Sequence, residues 1–566
     1  MVFGIAAVCS ATVRYVSATG NDANDGLSWA AAKRTLQASV TSAGTGDEIW
    51  VQQGTYTALS NQPLAKVDSR MGIQIYGGFV GNETSRDQRN STANNTILTG
   101  NGHTVLWLNN TYAIHSVQNN VDSTIVTPVV IDGFTITGGI GYLGGLPFPG
   151  IPPQCRSGGG IFITGECDGI VISNNIIKNN NLPLTSYGPN MPPYFPKMVS
   201  GYGGGIYSYY GGSHAARIDV CNNQILGNSA GQGGGLYIFN GVVHIYNNLV
   251  QGNSSTFAGG GLYLQGNSYD SRYTNHETHP ELYSNTFRNN TVFCANTLPP
   301  DFVGGGAISI FSSCTWITRN LFEGNKASCT GAGWARGGAI YGGALRYLNN
   351  IFRENHASHG GGALYLAGSL SVVNTVSMIG NNTFVYNTAD NGQGSSVYAG
   401  IRSSNGGYNA WLMSNIFYGD TVDTPNSWDV YAASNDSSSG DLGALVVVDY
   451  CDAPTGGFND HFKASAPYGN SKDAIVEPHP GYSPIVDHNI YSDPQLVDAL
   501  GGDYHLASSS LCIDAGSMNY PPSGLPPVYV WMLPEVSPDF YGNPRFTQYH
   551  QDGTPYIDIG AAQYTP

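Results

Sequence analysis

A repeat constrains this chain more than any other feature. The motif N-x-[IVLF]-x-x-[ND] begins at Asn175, Asn223, Asn248, Asn285, Asn320, Asn350, Asn382 and Asn415, at intervals of 25 to 48 residues. A glycine-rich element followed by an aliphatic residue alternates with it: Gly158-Gly159-Gly160-Ile161, Gly203-Gly204-Gly205-Ile206, Gly233-Gly234-Gly235-Leu236 and Gly259-Gly260-Gly261-Leu262. It returns at Gly304-Gly305-Gly306-Ala307, Gly337-Gly338-Ala339-Ile340 and Gly360-Gly361-Gly362-Ala363. Repeats at this spacing imply a solenoid or a propeller. Within each unit the apolar residues alternate, as in Leu236 and Ile238 or Val243 and Ile245, and no long amphipathic helix separates the strands. Propeller blades need a regular 40–45 residues. An irregular interval, often near 30, suits one turn of a parallel β-helix with loops bulging out.

The repeat explains an unusual composition. Gly accounts for 76 of 566 residues and charged residues for only 11 %, against roughly 25 % in ordinary globular chains. Stacked coils lie about 4.8 Å apart. Their corners need left-handed or extended backbone that Gly and Asn adopt cheaply. Asn at equivalent corners of successive coils can form amide ladders. The apolar residue of each Asn motif should point inward and stack on its counterpart: Ile177, Ile225, Val250, Phe287, Phe322, Phe352, Phe384 and Phe417. The repeated Asn and Gly are therefore read as structural.

The formal net charge of −16 and the lack of a basic cluster argue against a nucleic-acid partner. No apolar run reaches membrane-helix length, so no transmembrane segment is expected. Residues 1–11 resemble the end of a secretory signal, with Cys9-Ser10-Ala11 as the cleavage site. The other eight cysteines form an even set, which fits an oxidising compartment. Cys155 with Cys167, and Cys314 with Cys329, are the pairs to test; buried free thiols are the alternative.

Residues 12–60 are expected to form an N-terminal cap and first coil, with an amphipathic helix over residues 29–43 covering the end of the core. The stretches "RYVSATGNDANDGLSWAAAKRTLQASV…GDEIWVQQGTY", "GGFVGNETSRDQRN" and "IDGFTITGG" resemble the N-terminal cap and first coils of secreted bacterial right-handed β-helix proteins. The GG[AI] and FxxN elements resemble repeats of polymorphic outer-membrane proteins. "NIYSDPQLVDALGGDYHLASSSLCIDAG" and "DFYGNPRF…YIDIGAAQY" resemble the choice-of-anchor Q region. The resemblance implies an all-β, single-stranded right-handed parallel β-helix, exported and extracellular or at the cell surface. The chain stops two residues after Tyr564, so no anchoring module is expected after it. Coils with loop insertions are expected over 61–420, an irregular insertion over 421–480, and C-terminal coils and a cap over 481–566.

Parallel β-helices host polysaccharide lyases and glycosidases, but fold alone does not decide activity. Adjacent Asp pairs and G-H-G are absent, and none of the seven lysines sits in a recognisable catalytic motif. The catalytic residues are unknown from sequence. "IVDHN" at 485–489 only superficially matches a lyase strand. His276 with His279 and His356 with His359 have H-x-x-H spacing, but two His do not close a metal site, and no metal is expected. "GNDANDG" at 20–26 is out of register for a calcium loop and reads as a capping turn. No cofactor is called for, and structural calcium is left open.

Function should sit in loops between coils. Four insertions stand out, at 142–155, 181–203, 266–283 and 294–302, and each is expected at a similar phase, so that they stack into one wall. Tyr187, Tyr194, Phe195, Tyr202, Tyr207, Tyr209, Tyr210, Tyr269 and Tyr273 are the candidate ligand-binding rings, for sugar stacking or protein contact. The leading expectation is a non-catalytic, adhesin-like binding or structural protein whose partner is carbohydrate or a surface protein. Self-association into an oligomer or filament is a narrower version. The alternative is a lyase or glycoside hydrolase working in a groove along the helix. An acid pair in a groove would favour the enzyme, and a smooth aromatic, carboxylate-poor face would favour binding.

Overall fold

The computed structural model describes residues 11–109, 128–143, 155–165, 169–183, 201–209, 217–239, 242–265, 280–294, 303–311, 315–330, 334–343, 346–367, 377–390, 393–400, 410–419, 428–432, 445–453, 461–464, 475–477, 488–516, 538–545 and 557–564. One coil shows the plan. Arg217–Cys221 belongs to sheet I, Gln224–Leu226 to sheet II, Ser229–Gln232 to sheet III and Leu236–Phe239 to sheet IV. The chain then enters Val242–Tyr246, which lies beside Arg217–Cys221 in sheet I. Repetition builds four sheets of parallel strands, with 14, 13, 8 and 12 strands among the described residues. The fold is a parallel β-helix.

In sheets I, II and IV from Ile161 on, successive strands are aligned residue by residue, so like stacks on like. Ile177, Ile225, Val250, Phe287, Phe322, Phe352, Phe384 and Phe417 point inward and are fully buried. The five phenylalanines stack face to face, with centroids 5.2, 4.8, 4.9 and 5.1 Å apart. Inward aliphatics of sheet I (Ile172, Val220, Ile245, Leu282) and of sheet IV (Ile206, Leu236, Leu262, Ile308) complete one continuous core. The close packing of identical shapes stabilises every rung by burial and dispersion together.

Both ends of the Asn motif are ladders. At the corner between sheets I and II, Asn320 donates its backbone N–H and its Nδ2–H to Oδ1 of Asn350, at 2.9 and 3.1 Å. Its Nδ2 also donates to the Leu282 carbonyl of the preceding coil at 2.9 Å. The same bonds run from Asn175 through Asn223, Asn248, Asn285, Asn350 and Asn382 to Asn415. A parallel ladder five residues on joins Asn180, Asn228, Asn253, Asn290, Asn325, Asn355 and Asn387. Only an amide supplies both the acceptor and the donors that such a buried column needs. The residue before the first ladder Asn sits in the left-handed region, as at Asn222 and Asn247 (φ 55° and 54°), a conformation Asn tolerates.

The glycine triplets answer to a different constraint. Gly233 is left-handed at φ 61°. A Cβ on Gly234 would lie 2.2 Å from the Ser254 carbonyl oxygen and 2.5 Å from that of Gly260. The third position has more room, and Ala307, Ala339 and Ala363 fill it in later coils.

Within 421–480, expected to be an irregular insertion, the described strands pair into the sheets of the helix. Val430–Ala432, Leu445–Asp449, Asp452–Ala453 and Phe462–Ala464 extend sheets IV, I, II and IV in turn. The repeat is hidden because Cys451 replaces the ladder Asn, its Sγ lying 3.4 Å from the Asn415 backbone nitrogen. In the third-glycine column Asp429 and His461 follow Ser396. The helix at the N-terminal end is shorter than expected, Leu36–Ser42. Asp22 Oδ1 accepts the backbone N–H groups of Arg34 and Thr35, which holds the preceding chain out of the helix. Leu36, Val40 and Ala43 close the end of the core. The turn at 20–26 is filled by Lys33, whose Nζ donates to the Asp22 and Asn24 carbonyls.

The described C-terminal residues form a strap along the outer face of sheet II. Ala499, Tyr504 and Ala561 pack on Ile351 and Val385, while Leu506, Cys512 and Ile559 pack on Ile416. Arg545, 1 % exposed, donates to Asn349 Oδ1 at 3.1 Å. The Gly560 N–H reaches the Ser414 carbonyl, and Asn381 Nδ2 donates to that of Asp558. The strap thus ties together three coils at their left-handed corners.

Asn350→Ala removes an acceptor and two donors from a buried column, each lost partner costing about 1–3 kcal/mol. Because a solenoid transmits stability between neighbours, amide exchange should quicken across 315–390 while residues 11–109 keep their protection. A second expectation concerns Asp452, which burial pushes up to about 7 against hydrogen bonds from the Cys512 thiol and the Ser492 backbone N–H. Its unfolded value is about 3.9. Between about pH 4 and pH 7 the folded chain holds a proton that the unfolded chain has released, so stability falls as pH rises through that window. Thermal midpoints measured across it should decline in the wild type and less steeply in Asp452→Asn. Asp429 and Asp558, also raised by burial, keep some slope in that variant.

Candidate functional site

The insertions leave the coil at two phases, not one. Segments 144–154, 184–200 and 295–302 leave between sheets II and IV and rejoin at Cys155, Gly201 and Val303. Segment 266–279 leaves after the sheet IV strand Leu262–Gln265 and rejoins at Pro280, just before the sheet I strand Glu281–Tyr283. The expected single wall is therefore corrected. Loop roots lie on both sides of sheet IV, and its outer face is the strip between them.

That face carries a column of rings. In register across successive strands stand Lys66, Trp107, Phe162, Tyr207, Tyr237, Tyr263, Ser309, Tyr341, Tyr365, Tyr398, Tyr431 and Lys463. The rings from Phe162 to Tyr263 stack at 5.0–5.4 Å. Those from Tyr341 to Tyr431 stack at 4.7–5.4 Å, and Ser309 separates the two runs. Lys66 Nζ lies 4.2 Å from the Trp107 centroid, a cation–π contact that closes one end.

Of the nine candidate rings, Tyr187, Tyr194, Phe195, Tyr210, Tyr269 and Tyr273 lie outside the described residues. Tyr207 is 1 % exposed, packed between Phe162 and Tyr237. Burial holds its phenol far above the usual range, with the neighbouring tyrosines adding to the shift. It is packed between its neighbours within the column and does not offer a ring to solvent. Tyr202 and Tyr209 are half-buried. Tyr202 sits edge-on to Tyr237 at 5.0 Å, and Tyr209 pairs with Phe239 at 5.2 Å.

Accessible rings beside the strip escape the loop-based reading. Trp334 is 42 % exposed and lies parallel to His359 at 4.7 Å. The Arg336 guanidinium lies 5.0 Å from the Trp334 ring and 4.9 Å from the Tyr365 ring. Burial, helped by Arg336, pushes the His359 imidazole down to about 4, so it is neutral near pH 7 and stacks as an uncharged ring. Phe311, 39 % exposed, and half-buried Trp428 extend the strip. Among the described residues its outward positions hold one carboxylate, Asp68, which is bound by Arg70. Flat rings, a cation and few carboxylates suit stacking on the apolar face of a sugar. A signal for the column exists in the sequence: with Ala307, Ala339 and Ala363 taken as the third position of their glycine elements, the residue after the following aliphatic is Phe162, Tyr207, Tyr237, Tyr263, Ser309, Tyr341 and Tyr365, aromatic in every case except Ser309.

Sheet I carries a different constellation. Asp219, His244, Glu281, Trp316 and Arg346 stand in one outward column on five successive coils. His244 Nδ1 is 3.2 Å from Asp219 Oδ1, and Arg217 Nε is 3.5 Å from the same oxygen. Burial works to raise the Asp219 carboxyl, but His244 and Arg217 together outweigh it and hold it below its ordinary value. The Arg346 guanidinium covers Trp316 at 4.0 Å. Two coils separate the Asp219 and Glu281 strands, about 9.6 Å.

Other described histidines make separate pairwise contacts. His356 Nδ1 is 2.9 Å from Thr388 Oγ1 and its Nε2 is 3.6 Å from Asp390, whereas His359 stacks on Trp334, so the two do not converge. His488 of the lyase-like stretch lies 3.0 Å from Asp449 and stacks on Tyr450. His461 and Asp429 form a pair at 2.9 Å with both partners buried. His276 and His279 lie outside the described residues. No group of three His, Cys, Asp or Glu side chains among the described residues could hold a metal ion, and no described helix is long and apolar enough to cross a membrane.

No protein-family model and no curated protein matches the chain. Solved structures similar to it include a XylC complex with xylose, at 12 % identity, covering 86 % of this chain and 87 % of that one, with a TM-score of 0.36. A rhamnogalacturonan lyase is similar at 13 % identity, with 74 % and 83 % covered and a TM-score of 0.27. A GH136 lacto-N-biosidase from Eubacterium ramulus is similar at 14 % identity, with 70 % and 65 % covered and a TM-score of 0.31.

Proposed function

We propose that this chain is an exported carbohydrate-binding rod, presented outside the cell or on its surface, that holds a glycan along the outer face of sheet IV. The observation that carries the reading is the ring column from Trp107 to Tyr431, with the Trp334–His359 platform and Arg336 at its side. The buried members fix the accessible ones, so a sugar can stack with little loss of side-chain freedom. The near-absence of carboxylates on that strip favours binding over acid–base chemistry there. An adhesin-like role, and assembly of rods into filaments, extend the same proposal.

A second reading, glycoside hydrolysis, is favoured by the sheet I column. Asp219 and Glu281 flank His244, and the spacing of their strands, about 9.6 Å, is near the upper end of the carboxyl separation used by inverting enzymes.

Glycan arrays followed by calorimetry test the first reading. Trp334→Ala is expected to weaken binding about tenfold, roughly 1.4 kcal/mol, with the fold intact because the ring is a surface one. Unchanged affinity would remove the platform from the site. For the second reading, incubation with neutral and anionic polysaccharides is the test. New reducing ends that vanish in both Asp219→Asn and Glu281→Gln would establish hydrolysis at sheet I. Binding without product in the wild type leaves the rod as a binder.

A further inference from the structure

Two thiols that the sequence does not pair stand side by side. The strand Thr291–Cys294 and the strand Lys326–Cys329 are neighbours in sheet III, and Cys294 is in register with Cys329. In-register residues on adjacent parallel strands point to the same face. Their Cα atoms are about 4.8 Å apart, inside the range a disulfide spans. Cys294 is 3 % exposed within a small cluster of Val292, Val303, Ala327 and Ala335, and Cys329 packs against that cluster at its half-exposed edge. The Thr330 N–H donates to the Cys294 carbonyl at 3.1 Å, which ties the two strands together beside the pair. The two sulfurs are hydrogen-bonded, which makes the Cys294 thiol easier to ionise and the Cys329 thiol harder, so the pair shares its first thiolate. The pairs expected from spacing, Cys155 with Cys167 and Cys314 with Cys329, each include one residue outside the described set.

We propose that Cys294 and Cys329 form a disulfide that staples one coil to the next when the chain meets a small-molecule disulfide or a disulfide-carrying oxidoreductase. The thiolate attacks one sulfur of the external disulfide, forming a mixed disulfide and expelling one thiolate. The second cysteine loses its proton and attacks the protein sulfur of that mixed disulfide, expelling the other half. Two protein thiols are oxidised by two electrons, the external disulfide is reduced to two thiols, and the protein gains one S–S bond. The closed ring spans one full turn of the helix, including the proline-bearing insertion 295–302, so it restrains that coil against peeling away from its neighbour.

Tryptic mapping of the purified full-length chain, after equilibration with oxidised glutathione and alkylation of remaining thiols, tests this. Cys294 falls in peptide 289–319, which also holds Cys314, and Cys329 falls in peptide 327–336. The two peptides should be linked, with a loss of about two mass units, as disulfide formation removes two hydrogens. The link should persist in Cys314→Ser and disappear in Cys294→Ser. A link that is lost in Cys314→Ser and kept in Cys294→Ser would overturn the proposal, as would full alkylation of Cys294 and Cys329 in the wild type. Cys314→Ser alone keeps the test decisive if the buried Cys294 variant misfolds, because Cys294 is then the one cysteine left in its peptide.

Discussion

Everything in this molecule depends on backbone pairing between consecutive coils in strict register. At about 4.8 Å per rung the chain has no choice but to place each side chain directly above its counterpart. A buried polar group at a corner must then satisfy, and be satisfied by, the same group one rung away. Asn meets that demand through both amide atoms, and the two ladders carry it from Asn175 to Asn415 and from Asn180 to Asn387. The backbone N–H of each ladder residue is consumed by the next side chain, so the corners have few buried orphans for a β-rod with so many turns.

The same register produces the surface. Stacking inside the rod makes a phenylalanine column, and stacking outside on sheet IV makes a second column of tyrosine, phenylalanine and tryptophan. Two accessible rings rest against it: Trp428 packs on Tyr431, and Arg336 lies between Trp334 and Tyr365. Sheet I follows the identical geometry with other chemistry: Asp219, His244 and Glu281 share one column because their coils are consecutive, although the two acids are 62 positions apart in the chain. One backbone rule thus yields an aromatic strip on one face and a charged row on another.

Where the repeat weakens, the rod is held by other means. Cys451 substitutes for an amide, and Asn489 restarts the ladder by accepting the Cys451 backbone N–H. The strap then clamps the corners of the last well-formed coils through Arg545, Asp558 and Gly560. It buries Asp539 and Asp558 and brings Cys512 against Asp452, while the N-terminal end rests on the apolar contacts of a seven-residue helix.

The architecture was legible in the residues because a solenoid repeats its core in sequence order. Period-two alternation identified the inward residues Ile177 to Phe417, and the Asn and Gly spacing identified the corners without any coordinates. Past Asp420 the reading failed, since Cys451, Asp429 and His461 fill ladder and glycine positions with unlike residues and erase the motif while the aliphatic strands persist. The candidate surface was only partly visible. Composition and proline content drew attention to the long insertions and to Tyr207, but burial depends on what lies on either side of a ring, and that is a property of neighbouring coils. The pairing of Trp334 with His359, of Asp219 with His244 and of Cys294 with Cys329 was decided by the tertiary structure alone, because variable loop lengths hide which residues share a column until the register of every coil is known.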